Sequence, residues 1–276
     1  MKIKVISTFL IWAAIIFLVV LPSAVLSADT IRPASGTLYT SDNIPISYDH
    51  YRRGFDSVVI VCPGFFNSKD SRWMRKTVDM LTLEFDVIIF DFRGHGKSGG
   101  RYTWSAKEPL DLDAVVDYAG SRGYKHIGVL AFSLGAAAAI NGAAERSDIE
   151  SMVLISCPSR FKSIDFHFWE PGMWADLKDN IDSRWEGKGA RAGNILMAKE
   201  NPLDTIGRIK DTSIMFISGD EDWIIKPRHS AKLYDAAKGY KRIEIIKGGF
   251  HAERLIQFQY EIMRDLIIGW FSKTLR

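Results

Sequence analysis

The chain has 276 residues and is short of cysteine, of net charge and of the patterns that bind metals or nucleotides. Its two cysteines, Cys62 and Cys157, are too few for the disulfide framework that staples small secreted domains. The formal charge is +3, and it falls to +1 when Lys2 and Lys4, the only charged residues before Asp29, are set aside. That leaves no basic footprint for nucleic acid. Zinc-ligand spacing, a glycine-rich phosphate loop, internal repeats and low-complexity segments are all missing. We therefore expect no metal, no cofactor and no nucleic-acid partner.

What is present is unevenly distributed. "MKIK" is followed by an uncharged run over 5–21, then Pro22 and the small-residue stretch "SAVLSAD". This pattern marks an export signal over about 1–28. Continued to Leu26, the run is long enough to stay as an uncleaved anchor, giving a membrane association through 5–26. With Lys2 and Lys4 held on the cytoplasmic side, either outcome places the remaining domain outside the cytoplasm, periplasmic, extracellular or membrane-anchored. A buried N-terminal helix is the plainer alternative.

Residues 29–276 read as one domain, because 47% hydrophobic and 25% charged residues suit a single substantial core. Six runs rich in Val, Ile and Phe cover 57–62, 86–92, 127–132, 151–157, 213–218 and 242–247. They do not alternate between apolar and polar residues, which predicts strands buried on both faces of a sheet. Helical stripes lie between them, one of Leu112, Val115, Val116 and Ala119, another of Leu255, Phe258, Ile262, Leu266 and Trp270. Pro227 is placed to open a helix and Gly239 to close one. Alternating strands and helices predict an α/β fold with a doubly wound, mostly parallel sheet. Earlier, "GTLYTSDNIPISYDHYR" has turn chemistry at Asp42 and Asn43 and reads as an antiparallel hairpin at the sheet edge. One connection, 158–205, is long enough to be functional. Among many charges it carries Phe161, Phe166, Phe168, Trp169, Trp174 and Trp185, and we expect a small cap over a pocket; the plainer alternative is a helical excursion packing its aromatics on the sheet.

The chemistry concentrates in "VLAFSLGAAAA", where a strand ending at Phe132 and a helix beginning near Leu134 leave Ser133 on the turn. Such a turn needs small neighbours, and Ala131 and Gly135 supply them in the pattern A-x-S-x-G. The helix start aims N–H groups and the positive end of its dipole at any anion forming beside the hydroxyl. On its own the pattern also fits a serine that merely caps the helix. A serine becomes a useful nucleophile only with a base, and the base with an orienting acid. Of six histidines, His251 alone follows a late apolar strand through a glycine turn, "IEIIKGGFHAE", whereas His95 in "DFRGHGKSGG" reads as a loop-shaping residue. "IMFISGDEDWII" offers Asp220, Glu221 and Asp222 just past another strand end, where catalytic groups of such sheets gather.

With serine, acid and histidine in that order, each after its own strand, the sequence resembles the α/β-hydrolase superfamily from about Gly36 to the C-terminus. It is similar in particular to the serine-hydrolase branch of esterases, monoacylglycerol-lipase-like enzymes and serine aminopeptidase-like proteins. The resemblance implies an α/β-hydrolase fold and a triad of Ser133, Asp222 and His251, since Gly219 and Asp222 match the Gly-x-x-Asp acid motif and Gly249 to His251 the histidine motif. It also implies an oxyanion hole from the backbone N–H groups of Phe65 and Leu134, with "VCPGFFNSKD" in place of the His-Gly-x loop. Pro63 replaces that loop's histidine and Ala131 the usual elbow glycine, neither of which removes a working group. The implied strand order sets one strand between the two cysteine-bearing ones, about 10 Å of separation and too far for a disulfide. Both are then buried thiols.

Phe66, Phe168, Trp169 and Trp174 are the candidate pocket residues. An aromatic cap suits a small-molecule acyl substrate, an ester or thioester cleaved through an acyl-enzyme on Ser133. A serine aminopeptidase-like activity is the alternative, with Glu170, Asp176, Asp179, Asp182 and Glu186 available to bind a substrate amine. A third is a catalytically idle binding protein.

Overall fold

The computed structural model describes residues 31–164, 173–174, 178, 187 and 189–276. The export segment expected over 1–28 lies outside these residues, as do Phe166, Phe168, Trp169 and Trp185 of the expected cap. Among the described residues no helix is long and apolar enough to cross a membrane.

The strands are β1 (Ala34–Tyr39), β2 (Pro45–Tyr51), β3 (Ser57–Cys62), β4 (Asp86–Phe90), β5 (His126–Phe132), β6 (Ser151–Ile155), β7 (Ser213–Gly219) and β8 (Lys241–Ile246). They form one sheet in the order β1-β2-β4-β3-β5-β6-β7-β8. β1 pairs antiparallel with β2, and β2 with β4, so the hairpin expected from the turn at Asp42 and Asn43 sits at the edge. The other pairings are parallel. Two of the apolar runs end early as strands: 86–92 stops at Phe90, and 151–157 stops at Ile155, because Ser156 turns into the left-handed region at φ 51°.

The absence of polar alternation follows from burial on both faces. Successive side chains of β3 point opposite ways, so Val58, Ile60 and Cys62 enter one core and Val59 and Val61 the other. The first core packs α2 (Pro109–Ser121), α3 (Ser133–Ala143) and α5 (Arg228–Ala236) on the sheet, with the short α4 (Pro202–Thr205) touching α3. The second packs α1 (Arg72–Leu81), α6 (Glu253–Phe258) and α7 (Tyr260–Thr274). Each fully buried Val, Ile or Leu contributes roughly 1.5–3 kcal/mol, so a sheet covered twice is strongly held. The predicted α2 stripe, Leu112, Val115, Val116 and Ala119, is wholly buried.

The C-terminal stripe differs from expectation. The helix breaks at Gln259 (φ −133°, ψ 40°), whose side chain donates to the Lys247 carbonyl at 2.9 Å. Beyond the break the buried face is Met263, Ile267, Trp270 and Phe271, leaving Phe258 and Ile262 exposed. As the resemblance implied, β5 separates β3, which ends at Cys62, from β6, which ends two residues before Cys157. Cys62 and Cys157 are free and buried, and burial pushes both thiols well above their ordinary range.

Candidate active site

Ser133 lies at the C-terminal end of the central strand β5. Phe132 is extended (φ −116°, ψ 132°), and Ser133 turns directly into α3 with φ 50°, a conformation that strains an L-residue by about 1–3 kcal/mol. The surrounding packing imposes this geometry. All eleven residues of α3 are buried, and a Cβ at Gly135 would stand 2.2 Å from the Pro63 carbonyl oxygen. Only glycine fits there. Ala131, where the family pattern has glycine, is accommodated in the core beside Cys62.

The hydroxyl of Ser133 donates to His251 Nε2 at 2.9 Å, and His251 Nδ1 donates to Asp222 Oδ2 at 2.8 Å. Asp222 is fully buried, and its other oxygen accepts the N–H groups of Ile224 (3.0 Å) and Ile225 (2.8 Å). The carboxylate is thus fixed from both sides and the imidazole is set with its proton on Nδ1, leaving Nε2 to accept. The two motif glycines explain how the acid and histidine loops meet, since a Cβ at Gly219 would fall 2.0 Å from the Gly249 carbonyl oxygen. Asp220 and Glu221, by contrast, are exposed. Asp220 is not idle, however: its Oδ1 accepts the Gly248 N–H at 2.7 Å, bracing the turn that leads to His251.

One supporting residue gave no sequence signal. Ser156, just past β6, accepts the Ala252 N–H on its Oγ at 3.1 Å. Both residues have positive φ (51° and 47°), so two strained turns lock together beside His251. Spacing could not reveal a bond between loops 96 residues apart.

The expected oxyanion segment also lies against the serine. A Cβ at Gly64 would sit 3.3 Å from Ser133 Cβ, which brings the 63–65 backbone to the Ser133 side chain. Leu134 is the second residue of α3, in the first turn, where the N–H groups have no partner within the helix. The side chains of Leu134 and Phe65 belong to one apolar cluster with Tyr102, Ile164 and Ile225, flanked by Trp104, Phe161 and Ile224. Sequence reasoning missed this cluster, which is drawn from four loops and the first turn of α3. Of the pocket candidates, Phe66 is half-buried and packs on Phe65 at 4.2 Å between ring centroids, Trp174 is exposed, and Phe168 and Trp169 lie outside the described residues.

The remaining loop motif is structural. In "DFRGHGKSGG", Asp91 accepts the N–H groups of Lys69 (2.7 Å) and Lys97 (2.9 Å), and Arg93 bridges Asp111 and Asp42. His95 is buried, its Nδ1 donates to the Arg93 carbonyl at 3.2 Å, and its ring packs edge-on against Phe65. It shapes the loop, as expected. Among the described residues no group of three or more His, Cys, Asp or Glu is placed to hold a metal ion.

Comparison with known proteins agrees with this architecture. The chain is 27% identical over 243 residues, 84% of its length, to the uncharacterized membrane protein YNL320W of Saccharomyces cerevisiae, covering 78% of that protein. A 59-residue stretch, 21% of the chain and 17% of the relative, is 39% identical to lysophospholipase L2 of Escherichia coli. The fold matches that of the Pyrococcus furiosus esterase Pf2001 with a TM-score of 0.71 and 26% identity, over 88% of this chain and 93% of that one. Residues 58–244 match the model of the Alpha/beta hydrolase family. On that match, and on a mostly parallel sheet with a serine turn at the end of its central strand, the chain belongs to the α/β-hydrolase family.

Proposed function

We propose that the chain is a serine hydrolase that cleaves a carboxylic ester, or a thioester, through an acyl-enzyme on Ser133. The observation that carries this is the unbroken relay from the buried Asp222 through His251 to the Ser133 hydroxyl. In the first half-reaction His251 Nε2 takes the hydroxyl proton as Ser133 Oγ attacks the acyl carbon. The N–H groups of Phe65 and Leu134 hold the oxyanion, a term worth roughly 3–4 kcal/mol per donor in such sites. His251 then gives its proton to the departing alcohol or thiol. In the second half His251 takes a proton from water as its oxygen attacks the acyl carbon, then returns that proton to Ser133 Oγ as the acyl–Oγ bond breaks and the acid leaves. Asp222 keeps the imidazole oriented and steadies the imidazolium.

The apolar wall of Leu134, Tyr102, Ile164 and Ile225 supports an acyl group rather than a charged one. A relative whose name is esterase points the same way. The acidic residues that a peptidase would use, Glu170, Asp176, Asp179, Asp182 and Glu186, lie outside the described residues, so no observation favours that alternative. The test is kcat/KM for p-nitrophenyl esters from acetate upward, beside aminoacyl p-nitroanilides. Each buried methylene contributes roughly 0.8 kcal/mol, so two added carbons raise kcat/KM by about an order of magnitude until the pocket fills. Ile225→Ala flattens that series. Faster cleavage of the anilides would replace the esterase reading with the peptidase one.

We also propose export of the domain by segment 1–28, supported by Lys2, Lys4 and the uncharged run over 5–21. Fractionation should find the protein in the membrane or beyond it; an intact cytoplasmic pool would contradict this.

A further inference from the structure

Next to the oxyanion loop lies a cavity of about 990 Å3 that the ester mechanism leaves unused. Its described lining carries Arg75, Lys97 and Arg191 beside one carboxylate, Asp70, and also Arg72, which is engaged in contacts of its own; the rest is glycine and one alanine. For a chain whose formal charge is only +3, this is a strong local concentration. Asp70 is shared rather than matched, since it lies 2.9 Å from Arg75, 3.1 Å from Lys97 and 3.5 Å from Lys69. Burial alone would raise its carboxyl, yet these cations hold it below the usual range. Lys69 is itself matched by Asp49 at 2.8 Å. Arg191 donates to the carbonyls of Gly96 and Ser98, contacts that fix the guanidinium without cancelling its charge.

Two further features add to the field and tie it to the site. Helix α1 begins at Arg72, and Ser71 does not cap it, because its Oγ accepts the Ser68 N–H instead. Arg72, the first residue of that helix, is in the lining, so the positive end of the helix dipole lies close by and adds to the field. Gly189, in the lining, donates its N–H to the Phe66 carbonyl at 2.7 Å, so the cavity adjoins the segment that carries Phe65.

We propose that this cavity binds a phosphate group. Asp70 already supplies one carboxylate, so a ligand that displaces it from Arg75 and Lys97 must bring more charge and more acceptor oxygens. A phosphate monoester carries about −1.5 to −2 charges and three acceptor oxygens, and guanidinium forks match its geometry. The group arrives either on the alcohol part of the substrate or as a separate soluble phosphate. Only the first of these rests on the ester hydrolysis proposed above.

Two experiments decide. In the first, calorimetry at low salt titrates Ser133→Ala with glycerol 3-phosphate and, as a control, with glycerol. Glycerol 3-phosphate binds and glycerol does not; adding Arg75→Gln and Lys97→Gln weakens binding about tenfold or more, and adding Asp70→Asn strengthens it. In the second, the protein with native Ser133 hydrolyses a lysophosphatidylglycerol and a monoacylglycerol of the same chain length. A fall in kcat/KM about tenfold larger for the phosphate-bearing lipid in the Arg75→Gln/Lys97→Gln protein assigns the phosphate to the substrate, even where glycerol 3-phosphate alone binds too weakly to detect. An equal fall, with glycerol 3-phosphate binding kept sensitive to the three substitutions, assigns the site to a soluble phosphate. No charge-selective fall together with binding that is absent, or insensitive to the substitutions, overturns the proposal. If neither lipid is cleaved, the ester reading fails while the titration still decides the cavity.

Discussion

Asp220 and Asp222 stand two positions apart on one loop and meet opposite surroundings. Asp222 is buried, with His251 on one oxygen and two backbone N–H groups on the other. Asp220 is exposed and holds the Gly248 N–H. Replacing Asp222 by asparagine offers His251 Nδ1 an amide donor where it needs an acceptor, favouring the wrong tautomer. Asp222→Asn should lower kcat by about three to four orders of magnitude with little change in KM. Asp220→Asn weakens one solvent-exposed brace and should cost less than about tenfold; a larger loss than in Asp222→Asn would reverse the two roles. The meeting of Ser133, His251 and Asp222 was legible in the sequence because each follows its own strand. Ser156 was not, because its contribution is a single long-range bond to the residue after His251.

At the scale of elements, the strand–turn–helix around Ser133 depends on close backbone approach. A methyl at position 135 would meet the Pro63 carbonyl at 2.2 Å and the Cys62 carbonyl at 2.9 Å, both on the segment leading to Phe65. Gly135→Ala should therefore destabilise the protein by about 1–3 kcal/mol, as overpacking does. It should also lower kcat, because the displaced backbone is the one beside Ser133. Unfolding midpoints in urea and steady-state rates check both parts; a stable variant of full activity would show the loop to be free to move. The strands were readable from Val- and Ile-rich runs, and α2 from its spacing. The break at Gln259 was not, since no glycine or proline marks it and the contact that rewards it, with the Lys247 carbonyl, is tertiary. The apolar wall was missed for the same reason: Tyr102, Leu134, Ile164 and Ile225 meet only after the sheet has set their loops.

At the scale of the molecule, buried neutral histidines set the response to acid. His50 lies between the hydroxyls of Tyr118 (3.2 Å) and Tyr124 (2.7 Å), and burial, helped by Arg52, lowers its pKa to about 4. Burial lowers that of His95 to about 4 as well. With unfolded values near 6.5, the unfolded chain binds more protons than the native one between pH 6.5 and 4. Stability should thus be retained above about pH 6.5 and lost as pH falls toward 4, by up to about 3 kcal/mol per histidine. Urea midpoints across this range should fall with pH, and less steeply in His50→Gln; a flat profile would mean that neither ring stays neutral. The central claim is that Ser133 is the nucleophile and His251 its base. It is tested most directly by intact-mass and peptide mapping after a fluorophosphonate probe, on the wild type, Ser133→Ala and His251→Ala. The account predicts one adduct, on Ser133, absent from Ser133→Ala and formed at least about a thousandfold more slowly in His251→Ala; an adduct on another residue, or equal labelling of all three proteins, would contradict it.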